Sequence, residues 1–171
     1  LLFPCEFTDV QAVQLPEMGD GVYFELFRDR TIGLYDSEGV AIVPIDRYTS
    51  YSYQKPFFLV EKDGLFGICT DQAEELLACK YSAISFSSNV FIASLPDDSH
   101  GLIDYNGQQL FPFISDSIIS VCPNHILLTD NNGKFGALNY RGELIVPIKN
   151  NVESVAKKVE QYAKKNDLAT E

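Results

Sequence analysis

NGKFGALNYRGELIVP, Asn132 to Pro147, is the stretch whose reading decides the fold. An aromatic precedes Gly136, a second glycine follows at Gly142, and a proline closes the segment. Such glycines suit either a phosphate-cradling loop or one copy of a repeated β-unit. A phosphate loop opens a helix, whose first amides hold the anion. Here β-type sequence follows each glycine, so the segment reads as a structural unit.

The same spacing recurs. GLYDSEGVAIVP runs from Gly33 to Pro44, GLIDYNGQQLFP from Gly101 to Pro112 and GALNYRGELIVP from Gly136 to Pro147; GICTDQAEELLA, from Gly67 to Ala78, is a degraded fourth copy. The anchor glycines Gly33, Gly67, Gly101 and Gly136 follow one another at intervals of 34, 34 and 35 residues. Near-constant spacing of this length is the mark of a repeat architecture. Ile32, Phe66, His100 and Phe135 precede the anchors, and Ile45, Cys79, Phe113 and Ile148 form an apolar column after the closing Pro or Ala. EFTDVQA, from Glu6, matches KYSAISF, from Lys80, and Pro4-Cys5 matches Ala78-Cys79. On this register the chain is expected to open midway through a copy.

One copy reads as about four short strands. Asp63-Gly64 between apolar runs is a hairpin signal. Asp36 is placed to bond the turn backbone, and Gly39, with its counterparts Gly107 and Gly142, to take positive φ. Pro44 edges or breaks a β-branched strand. The aromatic before each anchor is expected to fill the unit core, and the glycine to let a strand or ring approach closely. The fold class is therefore all-β: tandem antiparallel meanders over 1–150. They form either an open twisted solenoid-like array, the favoured form, or a small propeller-like ring in which residues 1–21 complete the segment 125–149.

KDGLFGICTD, DSHGLIDYNGQQLFP and NNGKFGALNYRGELIVP resemble the WG, or KWG, β-repeat over nearly all of residues 1–150. The chain has no Trp; Phe66 and Phe135 stand in its place, Ile32 and His100 depart from it, and Ala73 and Ala78 replace a glycine and a proline. The resemblance implies a mostly bacterial class of repeat proteins that act as binding modules and have no catalytic motif.

Past Lys149 the period changes. Val152, Val155, Ala156, Val159, Tyr162 and Ala163 make one helical stripe, with Lys157, Lys158, Gln161, Lys164 and Lys165 facing away and Asn151 as N-cap. Residues 151–171 are thus expected to form an amphipathic helix and tail that cap the last open edge of the array.

The formal charge is -11, from 24 acids against 13 Lys plus Arg, and the helical segment carries four of each sign. Residues 1–150 therefore hold all of it. Such a surface disfavours nucleic acid and suits a basic protein partner. No apolar run reaches the ~20 residues of a membrane span. No signal peptide is evident, and a start at Leu1 without Met implies residues upstream.

Nothing marks a reaction centre, cofactor or metal site, and no small molecule is indicated. Cys5, Cys69, Cys79 and Cys122 form no CxxC; three fall in apolar columns as small core residues, which fits a reducing, cytoplasm-like compartment. His100 replaces a packing aromatic and His125 follows PN in a loop. Asp97-Asp98 and Asp130 through Asn132 read as solvated hairpin tips, and DNNG lacks the ligand ladder of a calcium loop.

RYTSYSYQKPFF is the exception. Tyr48, Tyr51, Tyr53, Phe57 and Phe58 concentrate aromatics as binding surfaces do, with Tyr51 and Tyr53 on one strand face. The functional expectation is a non-enzymatic protein-interaction module with an acidic, tyrosine-bearing face, for example an immunity-type or regulatory protein masking a basic toxin or enzyme. The alternatives are a binder of carbohydrate or a cell-envelope ligand through the same aromatics, and a structural spacer of a larger repeat protein.

Overall fold

A computed structural model of the 171-residue chain describes residues 6–121 and 126–166. Cys5, Cys122 and His125 lie outside them. Four antiparallel sheets follow in chain order. The first holds β1 (Asp9–Gln14), β2 (Val22–Arg28), β3 (Thr31–Tyr35) and β4 (Ala41–Tyr48); the second holds β5 (Ser50–Gln54), β6 (Phe57–Lys62), β7 (Leu65–Cys69) and β8 (Glu75–Tyr81). The third comprises β9 (Ala83–Ser87), β10 (Val90–Ser94), β11 (His100–Asp104) and β12 (Gln109–Ser115). The fourth comprises β13 (Ser117–Val121), β14 (Ile126–Asn131), β15 (Lys134–Asn139) and β16 (Leu144–Asn150), and α1 (Val152–Lys165) follows it. The protein is thus all-β, built of tandem four-stranded meanders, with one C-terminal helix.

The expected copy boundary needs correction. β1 pairs with β2 from end to end, and the fourth sheet has four strands of its own. The first copy is therefore a full meander, and β1 does not complete the segment 125–149. The anchor glycine marks the third strand of a sheet, so a frame that begins at the glycine starts two strands late.

All four anchors share one setting. Each lies opposite a register slip in the fourth strand; in the second sheet, pairing passes from Ile68↔Leu77 to Phe66↔Tyr81. A Cβ on Gly67 would stand 2.5 Å from the Leu77 carbonyl oxygen and 2.9 Å from the Cys79 nitrogen. On Gly33 and Gly136 it would lie 2.9 Å from the nitrogens of Ile45 and Ile148, and on Gly101 2.9 Å from the Phe113 ring. The missing side chain is what lets the bulged strand close on its neighbour. Pro44, Pro112 and Pro147 fall inside the slipped segments, where the ladder is already interrupted. The first sheet's slip, from Val43 to Tyr48, is one residue longer than the others, and Asp46 there has φ 69°.

The turn after each third strand is also repeated. Asp36, Thr70, Asp104 and Asn139 each accept, through a side-chain oxygen, the backbone N–H groups two and four residues on. The residue at positive φ in this turn is Gly39 (83°), Gly107 (82°) or Gly142 (77°), and Ala73 (61°) in the degraded copy. Asp63-Gly64 forms the expected tight hairpin at φ 54° and 78°.

The aromatic column fills the core only in part: Phe135 packs against the cluster of Ile126, Ala137, Val146 and Val155. Ile32, Phe66, His100 and Phe135 are half-buried. They pair with the residue just beyond the slip. The fully buried column is the next one on that face: Leu34, Ile68, Leu102 and Ala137.

The chain divides into two compact units, Leu1–Tyr81 and Ser82–Glu171. In the first, Leu34, Ile42, Val43 and Tyr48 of one sheet pack with Phe58, Val60 and Cys69 of the next. In the second, Val90, Ile92, Leu102 and Phe111 pack in the same way with Ile118, Leu127 and Leu138. On the other face of the fourth sheet Ile126, Ala137 and Val146 meet Val155 of α1, with Val159 and Tyr162 beside them. The helix therefore covers a sheet face, where a strand edge was expected. Its buried stripe is narrower than the apolar pattern, because Val152 and Ala156 are exposed. The lysines face away as expected.

Candidate interaction face

The aromatic stretch separates into core and surface. Tyr48 and Phe58 are 1% and 0% exposed, and Phe57 is 9% exposed. Those three are therefore not part of a surface, contrary to the sequence expectation. Consecutive residues of a strand point to opposite faces, so Phe57 and Phe58 lie on the two faces of β6, and both are covered. The Tyr48 hydroxyl donates to Glu75 Oε2 at 3.5 Å. Burial first, and then the nearby Cys69 and Glu75, push its pKa up to about 12.

Tyr51 and Tyr53 alternate onto one face of β5 and are half-buried. Both rest on Phe58: ring centroids are 5.9 Å apart, edge-on, for Tyr51 and 4.8 Å apart, tilted, for Tyr53. The Tyr51 hydroxyl donates to Glu25 Oε1 at 2.5 Å. Burial, this bond and the Glu25 charge all raise its pKa. Tyr53 is held above the ordinary tyrosine value by burial, then by the charges of Asp71 and Glu17 and by Tyr23. Tyr23, Val13, Leu15 and Met18 pack on the same core.

The result is a group of three half-buried tyrosines on one core, two of them resting on Phe58, edged by Glu17, Glu25 and Asp71. Sequence reasoning found Tyr51 and Tyr53 but missed the other four. They arrive from the segment before β2, from β2 itself and from the β7–β8 turn, and no local motif links those places. The one available signal was the two-residue alternation that puts Tyr23 and Glu25 on the same face of β2.

This arrangement offers apolar ring area, hydroxyl tips and negative charge. It holds no activated nucleophile. The Cys69 thiol is buried, and burial, the largest influence, raises its pKa to about 11; Cys79 is also raised, chiefly by burial. A reactive thiolate needs the opposite shift. Among the described residues no three His, Cys, Asp or Glu side chains gather as a metal set. His100 is half-buried and its Nδ1 has no hydrogen-bond partner. Asp97 and Asp98 are exposed at a hairpin tip, as is Asn132, while Asp130 lies in β14. Among the described residues no helix is long and apolar enough to cross a membrane.

No family model and no curated protein matches the chain. Among solved structures it is similar to the computationally designed Ika8 protein, at 16% identity over 80% of this chain and 48% of that one, with a TM-score of 0.42. It is similar to the computationally designed Ika4 protein at 18% identity, 68% and 84% coverage and a TM-score of 0.40. BamB from Moraxella catarrhalis matches at 12% identity, 78% and 49% coverage and a TM-score of 0.39. The chain spans about half the length of the Ika8 protein and of BamB.

Proposed function

We propose that this chain is a non-catalytic protein-interaction module of the WG-repeat type. It binds a basic protein partner through Tyr23, Tyr51 and Tyr53 and the carboxylates around them. One observation carries the reading: Tyr51 and Tyr53 rest on Phe58, Tyr23 packs on the same core, and acidic groups stand at their edge. Tyrosines fixed in place lose little entropy on binding and supply ring area together with a polar tip. Glu17, Glu25 and Asp71 supply a local field of the same sign as the chain's net charge of -11, which speeds encounter with a cationic surface. Masking of a basic toxin or enzyme is the concrete form this takes.

The test is capture of partners by wild type and by Tyr53→Ala, in low and high salt. The expected result is a basic partner whose binding falls about tenfold or more in the variant, as for a central aromatic anchor, and weakens as salt rises. Binding of a glycan in its place, lost in Tyr51→Ala and Tyr53→Ala, identifies a carbohydrate binder. No ligand of either kind leaves a spacer.

A further inference from the structure

We propose that the outer face of the first sheet is a docking seat for the fourth sheet of a second copy of this chain, and that α1 occupies the place the second copy would take. The two faces are the halves of an interface that the molecule already builds inside each unit. In the first unit Leu34 and Val43 of one sheet meet Phe58 and Cys69 of the next. In the second unit Leu102 and Phe111 meet Leu127 and Leu138. In both, one face of a sheet receives the sheet that follows, and the opposite face of the later sheet supplies the match.

Strand register identifies the same face on the first sheet. Leu26 pairs with the anchor Gly33 as Thr129 pairs with Gly136. Val10, opposite Leu26, therefore takes the place of Ile118, opposite Thr129. Phe24 and Tyr35 likewise take the places of Leu127 and Leu138. Where a sheet is seated, Ile118 is 6% exposed and Leu127 and Leu138 are fully buried; on the first sheet Val10 is 46% exposed and Phe24 and Tyr35 are only half-buried. Alternation puts Ala12 and Val22 on that face too, and both are exposed. An apolar patch at the end of a repeat array marks a contact surface, since a terminal face is otherwise polar. It lies on the opposite face of β2 from Tyr23 and Glu25, and the inference does not depend on the reading given for them.

The matching half lies under α1. Ala137 and Val146 of the fourth sheet pair with each other as Leu102 and Phe111 do in the third. They present the face that receives a following sheet, and Val155, Val159 and Tyr162 of α1 pack there instead. The helix is a narrow cover. At ~10 Å across it spans about two strands spaced ~4.8 Å apart, and it lies on β15 and β16. Ile119 of β13, opposite Leu128 and on the same face, stays 59% exposed. A four-stranded sheet spans the full width, which lets the first sheet of a second copy compete for the face. Tethered beside it, α1 acts at high effective concentration, so the intact chain is held apart from other copies. The contact joins unlike faces of two copies, so it propagates once α1 leaves.

The experiment is sedimentation velocity of full-length chains, with cooperative thermal unfolding as the check that each is folded. Val155→Asp/Val159→Asp unseats α1 and should give reversible, concentration-dependent oligomers under conditions where wild type is monomeric. Adding Val10→Lys/Ala12→Lys to that variant blocks the seat and should abolish the oligomers. The decisive arm mixes this combined variant, with its open fourth sheet and blocked seat, with wild type, whose seat is intact. A complex of one copy of each is expected, and it should be lost when Val10→Lys/Ala12→Lys alone replaces wild type. Where the double aspartate variant does not fold, Val159→Asp alone, at a half-buried position, serves in the same comparisons. A folded, unseated variant that stays monomeric overturns the proposal. So do oligomers that survive Val10→Lys/Ala12→Lys, or a mixed complex that forms equally well with the seat blocked.

Discussion

Ala73 is the clearest test of how single residues hold this fold. It occupies, at φ 61°, the turn position that is glycine in the other three copies. The left-handed region costs an L-residue with a Cβ ~1–2 kcal/mol, and a glycine returns ~0.4–1 kcal/mol of that through greater freedom of the unfolded chain. Ala73→Gly should therefore raise stability by up to about 1 kcal/mol in denaturant melts, and Gly107→Ala should lower it by a similar amount. The anchors behave differently, because their demand is steric. Gly67→Ala drives a Cβ into the Leu77 carbonyl and should cost about 1–3 kcal/mol, as overpacking does. These positions were legible in the sequence because backbone geometry dictates the residue: a conformation or a close approach leaves glycine as the natural choice.

Protonation belongs to the same scale. Burial raises Cys69 from 9.0 to about 11 and Tyr48 from 10.0 to about 12. Both groups are neutral when protonated, so the fold favours the proton-bound form and the unfolded chain gives up the proton first. Their contribution to stability is complete below about pH 9 and declines as pH rises through the folded-state values. Thermal midpoints should fall steadily from pH 9 to 12, and in Tyr48→Phe the fall above pH 10 should be shallower. An identical slope in that variant contradicts the assignment.

Among the elements, α1 is the one whose role the sequence only half disclosed. Its period, N-cap and lysine face are plain in the residues, and Asn151 Oδ1 does accept the Ser154 N–H at 2.9 Å. Which apolar residues are buried depends on the shape of the sheet beneath. Val155 is 2% exposed, whereas Ala156 faces solvent. Val155→Ala should cost about 1.5–3 kcal/mol, at the upper end if a cavity remains, and should raise binding of a hydrophobic dye to the uncovered sheet. Ala156→Gln, at a position the apolar pattern counts as buried, should leave the denaturation midpoint unchanged. The sheets show the same division. Hairpin and turn residues announce themselves locally, but the first copy looked incomplete because its glycine lies in the third strand, and only strand pairing reveals the two strands before it.

For the whole molecule, the aromatic stretch was visible but its surface was not. The five aromatics divide into three core and two half-buried residues because β6 is covered on both faces and Tyr48, at the end of β4, packs into the core between the first two sheets. Tyr51 and Glu25 are 26 residues apart in sequence and share a hydrogen bond only because two sheets pack together. The measurement that bears most directly on the proposed function is amide hydrogen exchange of the full chain, free and bound to its captured partner. The account predicts new protection in residues 15–25, 50–54 and 70–74, reduced in Glu17→Gln/Asp71→Asn as association weakens. Protection confined to residues 82–166, or a bound partner that changes exchange nowhere in the first unit, contradicts it.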